Sequence, residues 1–578
     1  MRILLLTHND HPEKIADLRQ SFDFIFDLSG SYSSSCQRWS ELIGLPVEPV
    51  PKSQFADFRL VGKILNHGTD HVIDDLGFDW WDLISIEYYE QMLETLRLER
   101  FVSSCDANAE FFVIDSGFCA RVLKYMAPGR VHEFTRASPL GRQRTTRVPR
   151  HLRLRPSQIL EILGDKYDSN YRLRRLLTKR AGSSDAVVLL PSAYGNASST
   201  ALNYARILPD KKFLLVSTRR SGRVKLIPEN VACSALASYS PANVSSRELQ
   251  QLLFSWHRLL QEFRRDRALS ILAEVGCFDL VRHILQQGLF IRDAWLQVFA
   301  SQPVSAVLAT DEMNWHTRLP LLIAHAKGLP TVACHHGALD RRYSLRGTSA
   351  DCLLVKGSME RNYVIEVCRR PAKQVEVGAP SRKQPARINH QHKKAIIFFS
   401  EPYEHFGQRC RERYQQVLPA LAQLADSNGG ALILKLHPFE NRRARKHLVE
   451  DLLGRKLRSR LTIMDGPLEG ELLAQTWFGV TITSTAAMDC ALHRVPVFLC
   501  KWLDSSSSLY AEQFISFEVA KELSSGDAIS EIPRMLENFP IVERERIWQT
   551  IRPERLRELL SGNRALDVQM AEAERAWV

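Results

Sequence analysis

Short apolar runs alternate along this chain with polar stretches or with apolar positions at helical spacing. In the opening third the runs Ile3 to Thr7, Phe22 to Leu28, Asp82 to Ile86 and Glu110 to Ile114 predict strands, the last leading into Asp115-Ser116-Gly117. Ala186 to Leu190 and Lys212 to Ser217 predict two more. Residues 247 to 298 then change period: Leu252, Leu253, Trp256, Leu259, Leu260 and Phe263 recur as on one face of a helix. Strand, turn and helix in alternation imply a largely parallel sheet covered by helices.

From 303 the strands return in close order. Val304 to Ala309 ends at Thr310-Asp311-Glu312, Pro330 to Cys334 ends at His335-His336-Gly337, and Asp351 to Val355 and Gln374 to Val377 follow. A helix from Trp315, closed by Gly328 as C-cap, joins the first two into a βαβ unit. The polar stretch Ser381 to Lys394 reads as a linker. Beyond it Ala395 to Ser400, Ala431 to Lys435, Leu461 to Met464, Phe478 to Ile482 and Pro496 to Leu499 predict a second α/β unit. The division expected is an amino-terminal Rossmann-like region 1–135, a basic linker and mixed helical accessory region 136–302, the remainder of the first α/β domain 303–385, a second α/β domain 386–540, and a helical segment 541–578.

A chain of 578 residues is too long for one core, and its 45% hydrophobic and 25% charged residues are those of a folded protein. No apolar run reaches the length of a membrane-spanning helix. The apolar start meets His8 and Asn9 too early for the core of a signal peptide, which places the expected protein in the cytoplasm. The eleven cysteines form no C-x-x-C pair, and Cys334, Cys490 and Cys500 sit in apolar runs as small hydrophobes, a pattern of a reducing compartment. The formal net charge is +12, and Arg136, Arg142, Arg144, Arg147, Arg150, Arg153 and Arg155 concentrate part of it. Such a run attracts anionic surfaces or phosphorylated substrates. Without interleaved aromatics it gives little support to nucleic-acid binding.

In parallel sheets the loops after the strands gather at one edge, where ligands bind. Three such places carry polar residues. The run Ala431 to Lys435 ends in Leu436-His437-Pro438-Phe439-Glu440, which can set an ammonium and an imidazole beside a phosphate; a surface lysine and a backbone-satisfied histidine would read the same. After Val480-Thr481-Ile482, Thr483, Ser484 and Thr485 can cap a helix whose first N–H groups hold an anion, with Asp489 one turn further in; ordinary helix-end stabilisation is the alternative. Asp311, Glu312 and His316 lie one strand from His335, His336 and Gly337, enough ionisable groups to deprotonate a hydroxyl. Their spacing matches no zinc signature, and no metal is expected. The chain lacks the G-x-x-x-x-G-K-S/T and G-x-S-x-G elements of P-loop ATPases and α/β-hydrolases. His8, Asn9 and Asp10 after the first strand read equally as ligand contacts or as a helix cap, and Ser33-Ser34-Ser35 reads as a turn.

The acidic strand end at Asp311 with its helix to Gly328-Leu329-Pro330, the His335-His336-Gly337 loop, Lys435-Leu436-His437-Pro438, and Thr483-Ser484-Thr485-Ala486-Ala487-Met488-Asp489 before Arg494-Val495-Pro496-Val497 together resemble GT-B-type glycosyltransferases of bacterial capsule, lipopolysaccharide and other surface-carbohydrate synthesis. The resemblance covers about 200 residues. It implies two Rossmann-like domains facing across a cleft, with a helical insertion in the amino-terminal part. It also implies a sugar-nucleotide donor whose phosphates are surrounded by Lys435, His437, Ser484 and Thr485, with Gly337 in the binding set and Asp489 toward the donor sugar or ribose. Asp311 is the implied acceptor base, with Glu312 and His336 as rivals. UDP, GDP and CMP donors all remain open; no other cofactor is expected. The acceptor would be a glycan or lipid-linked glycan, and the Arg-rich segment 136–155 would hold the protein at the inner face of the plasma membrane. Arg494 stands where the family often has glycine, which predicts a wider helix-to-strand turn. A sugar-nucleotide epimerase or hydrolase, and a non-catalytic carbohydrate-binding protein, are the alternative readings.

Overall fold

The structure is a computed structural model and describes residues 1–7, 22–28, 36, 40–41, 43–50, 58–114, 117–133, 184–219, 222, 226–241, 243–337, 339, 349–381, 395–403, 410–453, 460–466, 468, 470–504 and 510–562. His8, Asn9, Asp10, Ser33-Ser34-Ser35, Asp115, Ser116 and the Arg-rich segment 136–155 lie outside the described residues.

Three parallel sheets make up the fold. The first holds β1 (Arg2–Leu6), β2 (Phe24–Asp27), β3 (Val47–Pro49), β4 (Glu110–Val113) and β5 (Val131–Glu133) in the order β3-β2-β1-β4-β5. Its central strand buries Ile3, Leu4, Leu5 and Leu6 completely, as a strand covered on both faces must.

The second sheet holds β6 (Val187–Ser192), β7 (Lys212–Ser217), β8 (Val231–Ala235), β9 (Val304–Ala309), β10 (Thr331–Cys334), β11 (Cys352–Val355) and β12 (Val375–Val377), in the order β12-β11-β10-β9-β6-β7-β8. The described residues of 136–302 form no separate accessory layer: β6, β7 and β8 pair into the sheet that β9 continues, and the helices Ser246–Phe263, Arg267–Glu274 and Val281–Ser301 lie between β8 and β9 as a helical insertion.

The third sheet holds β13 (Ala395–Phe399), β14 (Ala431–Lys435), β15 (Leu461–Met464), β16 (Thr476–Thr481), β17 (Val497–Cys500) and β18 (Lys521–Leu523), in the order β15-β14-β13-β16-β17-β18. Ile396, Phe398, Leu432, Leu434, Phe478 and Val480 pack there against Tyr414, Val417, Leu418 and Leu421 of the helix Cys410–Ser427. The second and third sheets are the two expected Rossmann-like domains of a GT-B-type α/β architecture with helical insertions. The five-stranded sheet precedes them.

The chain divides into two compact units. One comprises Met1–Ala56, Leu93–Arg136 and Lys383–Trp548; the other comprises Asp57–Met92, Ala137–Arg382 and Gln549–Val578. The strand expected at Asp82 to Ile86 is instead a helix, Trp80–Ile84, continued by a 3-10 turn, Ser85–Tyr88. Asp79 caps it, accepting from the N–H groups of Trp81 at 2.9 Å and Asp82 at 3.2 Å. Packing decides against the local alternation: Trp81 stacks on Trp256 at 5.7 Å, and Trp80 lies over Gly288, where a Cβ would meet its ring at 2.1 Å. The carboxy-terminal helix Pro553–Ser561 buries Leu556, Leu559 and Leu560 in the core of the seven-stranded sheet. All eleven cysteines are free thiols, with Cys334, Cys490 and Cys500 buried. Among the described residues no helix is long and apolar enough to cross a membrane.

Candidate functional site

Both larger sheets reverse strand order beside their first strand, between β6 and β9 in one and between β13 and β16 in the other. Chains leave such a point in opposite directions and open a crevice at the carboxyl ends of the strands. The polar residues singled out in the sequence lie at these two edges, each in its own unit.

In the six-stranded sheet Lys435 is the last residue of β14 and only 7% exposed. Its ammonium donates to the carbonyls of Gly466 and Leu436, and among the described residues no carboxylate forms an ion pair with it. Burial lowers its pKa, opposed by the more distant charges of Asp465 and Glu440. A cation that, among the described residues, is held by carbonyl dipoles alone leaves this edge with positive charge to offer.

His437 follows on a turn fastened by Glu440. The His437 N–H donates to Glu440 Oε2 at 2.8 Å, and the same carboxylate accepts from Ser400 Oγ at 2.7 Å, Arg445 Nε at 2.6 Å and Tyr414 Oη at 3.4 Å. The Glu440 side chain has no exposed surface, so four donors, one of them the ion-paired Arg445, hold the turn from beneath. His437 Nδ1 accepts the Phe439 N–H at 3.2 Å. In the neutral ring the proton is then on Nε2.

Across the switch point Glu401 follows β13. It accepts the N–H and hydroxyl of Thr483 at 2.7 and 2.6 Å, and the hydroxyl of Thr481 at 3.2 Å. Burial raises its pKa, opposed by these bonds. Ser484 donates its N–H to Thr481 Oγ1 at 3.3 Å and accepts from Ala486 N at 3.3 Å, so its hydroxyl, rather than that of Thr485, caps the helix Ala486–Leu492. Asp489 is half-buried on that helix. The turn at Arg494 is no wider than a glycine turn: Arg494 takes φ +54°, the left-handed C-cap conformation, while Val495 N–H bonds to Cys490 O at 2.8 Å. The tight return to β17 is kept with an arginine in the place glycine favours.

In the seven-stranded sheet Asp311 follows β9 and is 8% exposed. Its Oδ1 accepts from the N–H groups of Met313 at 3.0 Å and Asn314 at 3.3 Å, and its Oδ2 accepts the hydroxyl of Tyr194, which follows β6. The Tyr194 ring meets His336 edge-on at 4.9 Å, and its hydroxyl is 3.5 Å from His336 Nδ1. His335 stands beside His336 with ring centroids 4.7 Å apart, its Nδ1 accepting the Gly337 N–H at 3.2 Å. Lys356 Nζ donates to Gly337 O at 2.9 Å and to Glu360 at 2.8 Å.

Burial, then the charge of His335, pushes the His336 pKa down to about 3, and Asp311 acts against them. The ring is neutral over the ordinary pH range. An unfolded chain protonates this histidine below its usual 6.5, whereas the folded protein does not until about 3. Folding stability is therefore present above pH 6.5 and is lost as the pH falls from 6.5 toward 3. His336→Asn is expected to remove that part of the acid slope, about 2 kcal/mol at pH 5. Urea unfolding at pH 7 and pH 5 checks it: equal acid losses in both proteins would contradict the assignment.

Glu312 is not available to a ligand. It is fully buried, paired with Arg370 at 3.1 Å and accepting the Ser349 N–H at 3.1 Å, so it ties the loop after β9 to neighbouring segments. His316 is buried in the helix Trp315–Ala326, its carbonyl accepting from Trp295 Nε1 at 2.9 Å. Among the described residues no group of three His, Cys, Asp or Glu side chains could hold a metal ion. Sequence reasoning passed over Tyr194, Glu401 and the role of Glu440. The usable signal was position, since Tyr194 and Glu401 each follow the first strand of a sheet whose order reverses beside it.

No protein-family model and no curated protein matches the sequence. Solved structures do align with it at low identity. A putative UDP-N-acetylglucosamine 2-epimerase from Listeria monocytogenes is 12% identical, aligned over 66% of this chain and 97% of its own, with a TM-score of 0.41. The UDP-GlcNAc 2-epimerase from Neisseria meningitidis bound to UDP-GlcNAc is 12% identical over 67% and 100%, with a TM-score of 0.36. A glycosyltransferase from Rickettsia africae is 10% identical over 68% and 98%, with a TM-score of 0.36.

Proposed function

We propose that this chain is a nucleotide-sugar-dependent enzyme, a glycosyltransferase that moves a sugar from a UDP, GDP or CMP donor to a hydroxyl of a surface-glycan or lipid-linked acceptor. The observation that supports it most is the buried Lys435 ammonium, held by carbonyls without a paired carboxylate among the described residues, at the edge that also carries His437. Charge builds on the donor phosphate as the glycosidic bond breaks. Lys435 and the Nε2 proton of His437 would stabilise that charge more in the transition state than in the ground state. Ser484 and Thr485 complete the phosphate contacts, with Asp489 toward the donor sugar or ribose and the Gly337 loop assigned to the other edge.

There the Asp311 carboxylate is assigned the acceptor's proton. Tyr194 holds Asp311, and neutral His336 hydrogen-bonds without bringing positive charge. This same cluster favours a second reading, in which a carboxylate, a phenol and a neutral imidazole move a proton on the donor's own sugar, as in an epimerase, or take one from an attacking water, as in a hydrolase. Incubation with UDP-, GDP- and CMP-sugars separates the two. Donor consumption that requires an added glycan acceptor supports transfer, and consumption or epimerisation without one supports the second reading. The Arg-rich segment 136–155 is proposed to bind anionic membrane surfaces, a reading that fails if the protein ignores anionic vesicles at low salt.

A further inference from the structure

Glu401 stands just past the end of β13, is 9% exposed, and among the described residues has no cation paired with it. A carboxylate taken out of water is costly unless hydrogen bonds replace its hydration. The donors that Glu401 has come from the end of β16 and the loop after it: the Thr481 hydroxyl at 3.2 Å, which is also 3.2 Å from Phe399 O, and the N–H and hydroxyl of Thr483 at 2.7 and 2.6 Å. The consequence falls on Ser484. Its N–H is taken by Thr481 Oγ1 at 3.3 Å, and its hydroxyl oxygen accepts the Ala486 N–H at 3.3 Å. The N–H groups of Thr483, Ser484 and Ala486 are thus committed inside the loop. The Ser484 hydroxyl proton, which meets no acceptor among the described residues, is a donor the loop keeps for an anion.

We propose that Glu401 is a positioning residue: by taking the N–H and hydroxyl of Thr483 it aims the Ser484 hydroxyl at the donor phosphate. The inference rests on the reading of Ser484 as a phosphate contact. Thr483 directly precedes Ser484, so a chain pinned there through both backbone and side chain leaves the phosphate little ordering of the loop to do. Glu401 itself does not touch the ligand, and its effect is carried by Thr481 and Thr483. An ionised carboxylate suits the task because it only accepts, which matches the donors converging on it. Glutamine in its place keeps an oxygen for the Thr483 N–H but sets an NH2 group against a hydroxyl, so it is expected to hold the loop in part.

The test is a double-mutant cycle on the full chain, read by isothermal titration with whichever of UDP, GDP and CMP the parent protein binds best. Ser484→Ala and Glu401→Ala are each expected to weaken that nucleotide by about tenfold, the worth of one hydrogen bond to a charged group. The double variant is expected to bind no more weakly than the weaker single one, because both substitutions remove the same contact. Glu401→Gln is expected to recover most of the loss. If Glu401→Ala does not fold, Thr483→Val takes its place in the cycle, with an expected loss of about threefold or more that disappears in the Ser484→Ala background. Losses that multiply in the double variant, a Glu401→Gln as weak as Glu401→Ala, or parental affinity in Glu401→Ala or its Thr483→Val replacement beside a weakened Ser484→Ala overturn the positioning role and leave the phosphate contact standing. Parental affinity in Ser484→Ala overturns the reading of Ser484 and this inference with it. A parent protein that binds no nucleotide overturns both.

Discussion

Lys435→Met is expected to weaken nucleoside diphosphate binding by about thirty- to a hundredfold while the thermal midpoint stays level or rises. The two halves of this result have one cause. The ammonium is desolvated at the end of β14 and, among the described residues, met by the carbonyls of Gly466 and Leu436 alone, so the folded protein carries a charge it would be more stable without. Burial lowers its pKa, which means the folded state holds the proton less tightly than the unfolded state does. A phosphate that reaches Lys435 gains a charge-assisted hydrogen bond, an interaction of about 1.5–3 kcal/mol. Removing the ammonium gives up that bond and relieves the desolvation together. Isothermal titration with UDP, GDP and CMP, set beside thermal unfolding of both proteins, checks the pair. A variant that loses stability and keeps its affinity would assign Lys435 to the architecture of the loop.

Glu440→Ala is the substitution expected to cost most stability, about 3–5 kcal/mol. Its carboxylate is paired with Arg445 in a site where neither side chain is more than 7% exposed, and it also receives Ser400, Tyr414 and the His437 N–H. Truncation takes the carboxylate from a buried guanidinium and several donors at once, the situation in which losing one partner is far costlier than the pair is worth. Nucleotide affinity should fall in the same variant, because His437 loses the anchor that aims its turn. Denaturant unfolding measures the first effect and titration the second. A loss below about 1 kcal/mol would show that the network is satisfied in another way.

The central strands were legible because a strand covered on both faces leaves a continuous apolar run: Lys212–Ser217, Val304–Ala309 and Ala431–Lys435 lie where the pattern placed them. Val47–Pro49, Val131–Glu133, Val231–Ala235 and Lys521–Leu523 were not seen. Each is the edge strand of its sheet, short and partly exposed, so it carries no such run. Asp82 to Ile86 misled because its alternation is local, while Trp80 and Trp81 are placed by partners around positions 256 and 288.

The candidate site divides along the same line. Lys435, His437, Asp311 and His336 stand directly after apolar runs, where sequence marks them. Tyr194 meets Asp311 across 117 positions, and Glu401 meets Thr483 across 82, contacts that only strand order creates. Glu312 shows the converse. It sits beside Asp311 in sequence, but it points into the protein toward Arg370. A carboxylate at a strand end is a candidate until its partner is known.

The most direct measurement of the central claim is ligand-induced thermal stabilisation across UDP, GDP, CMP and their common sugar conjugates, made on the parent protein and on His437→Ala. His437 is half-buried and contributes its backbone N–H, not its ring, to Glu440, so the variant should fold. The account predicts selective stabilisation by one nucleotide and its conjugates, largely lost in His437→Ala. Stabilisation by none of them, or the same stabilisation in both proteins, would contradict it.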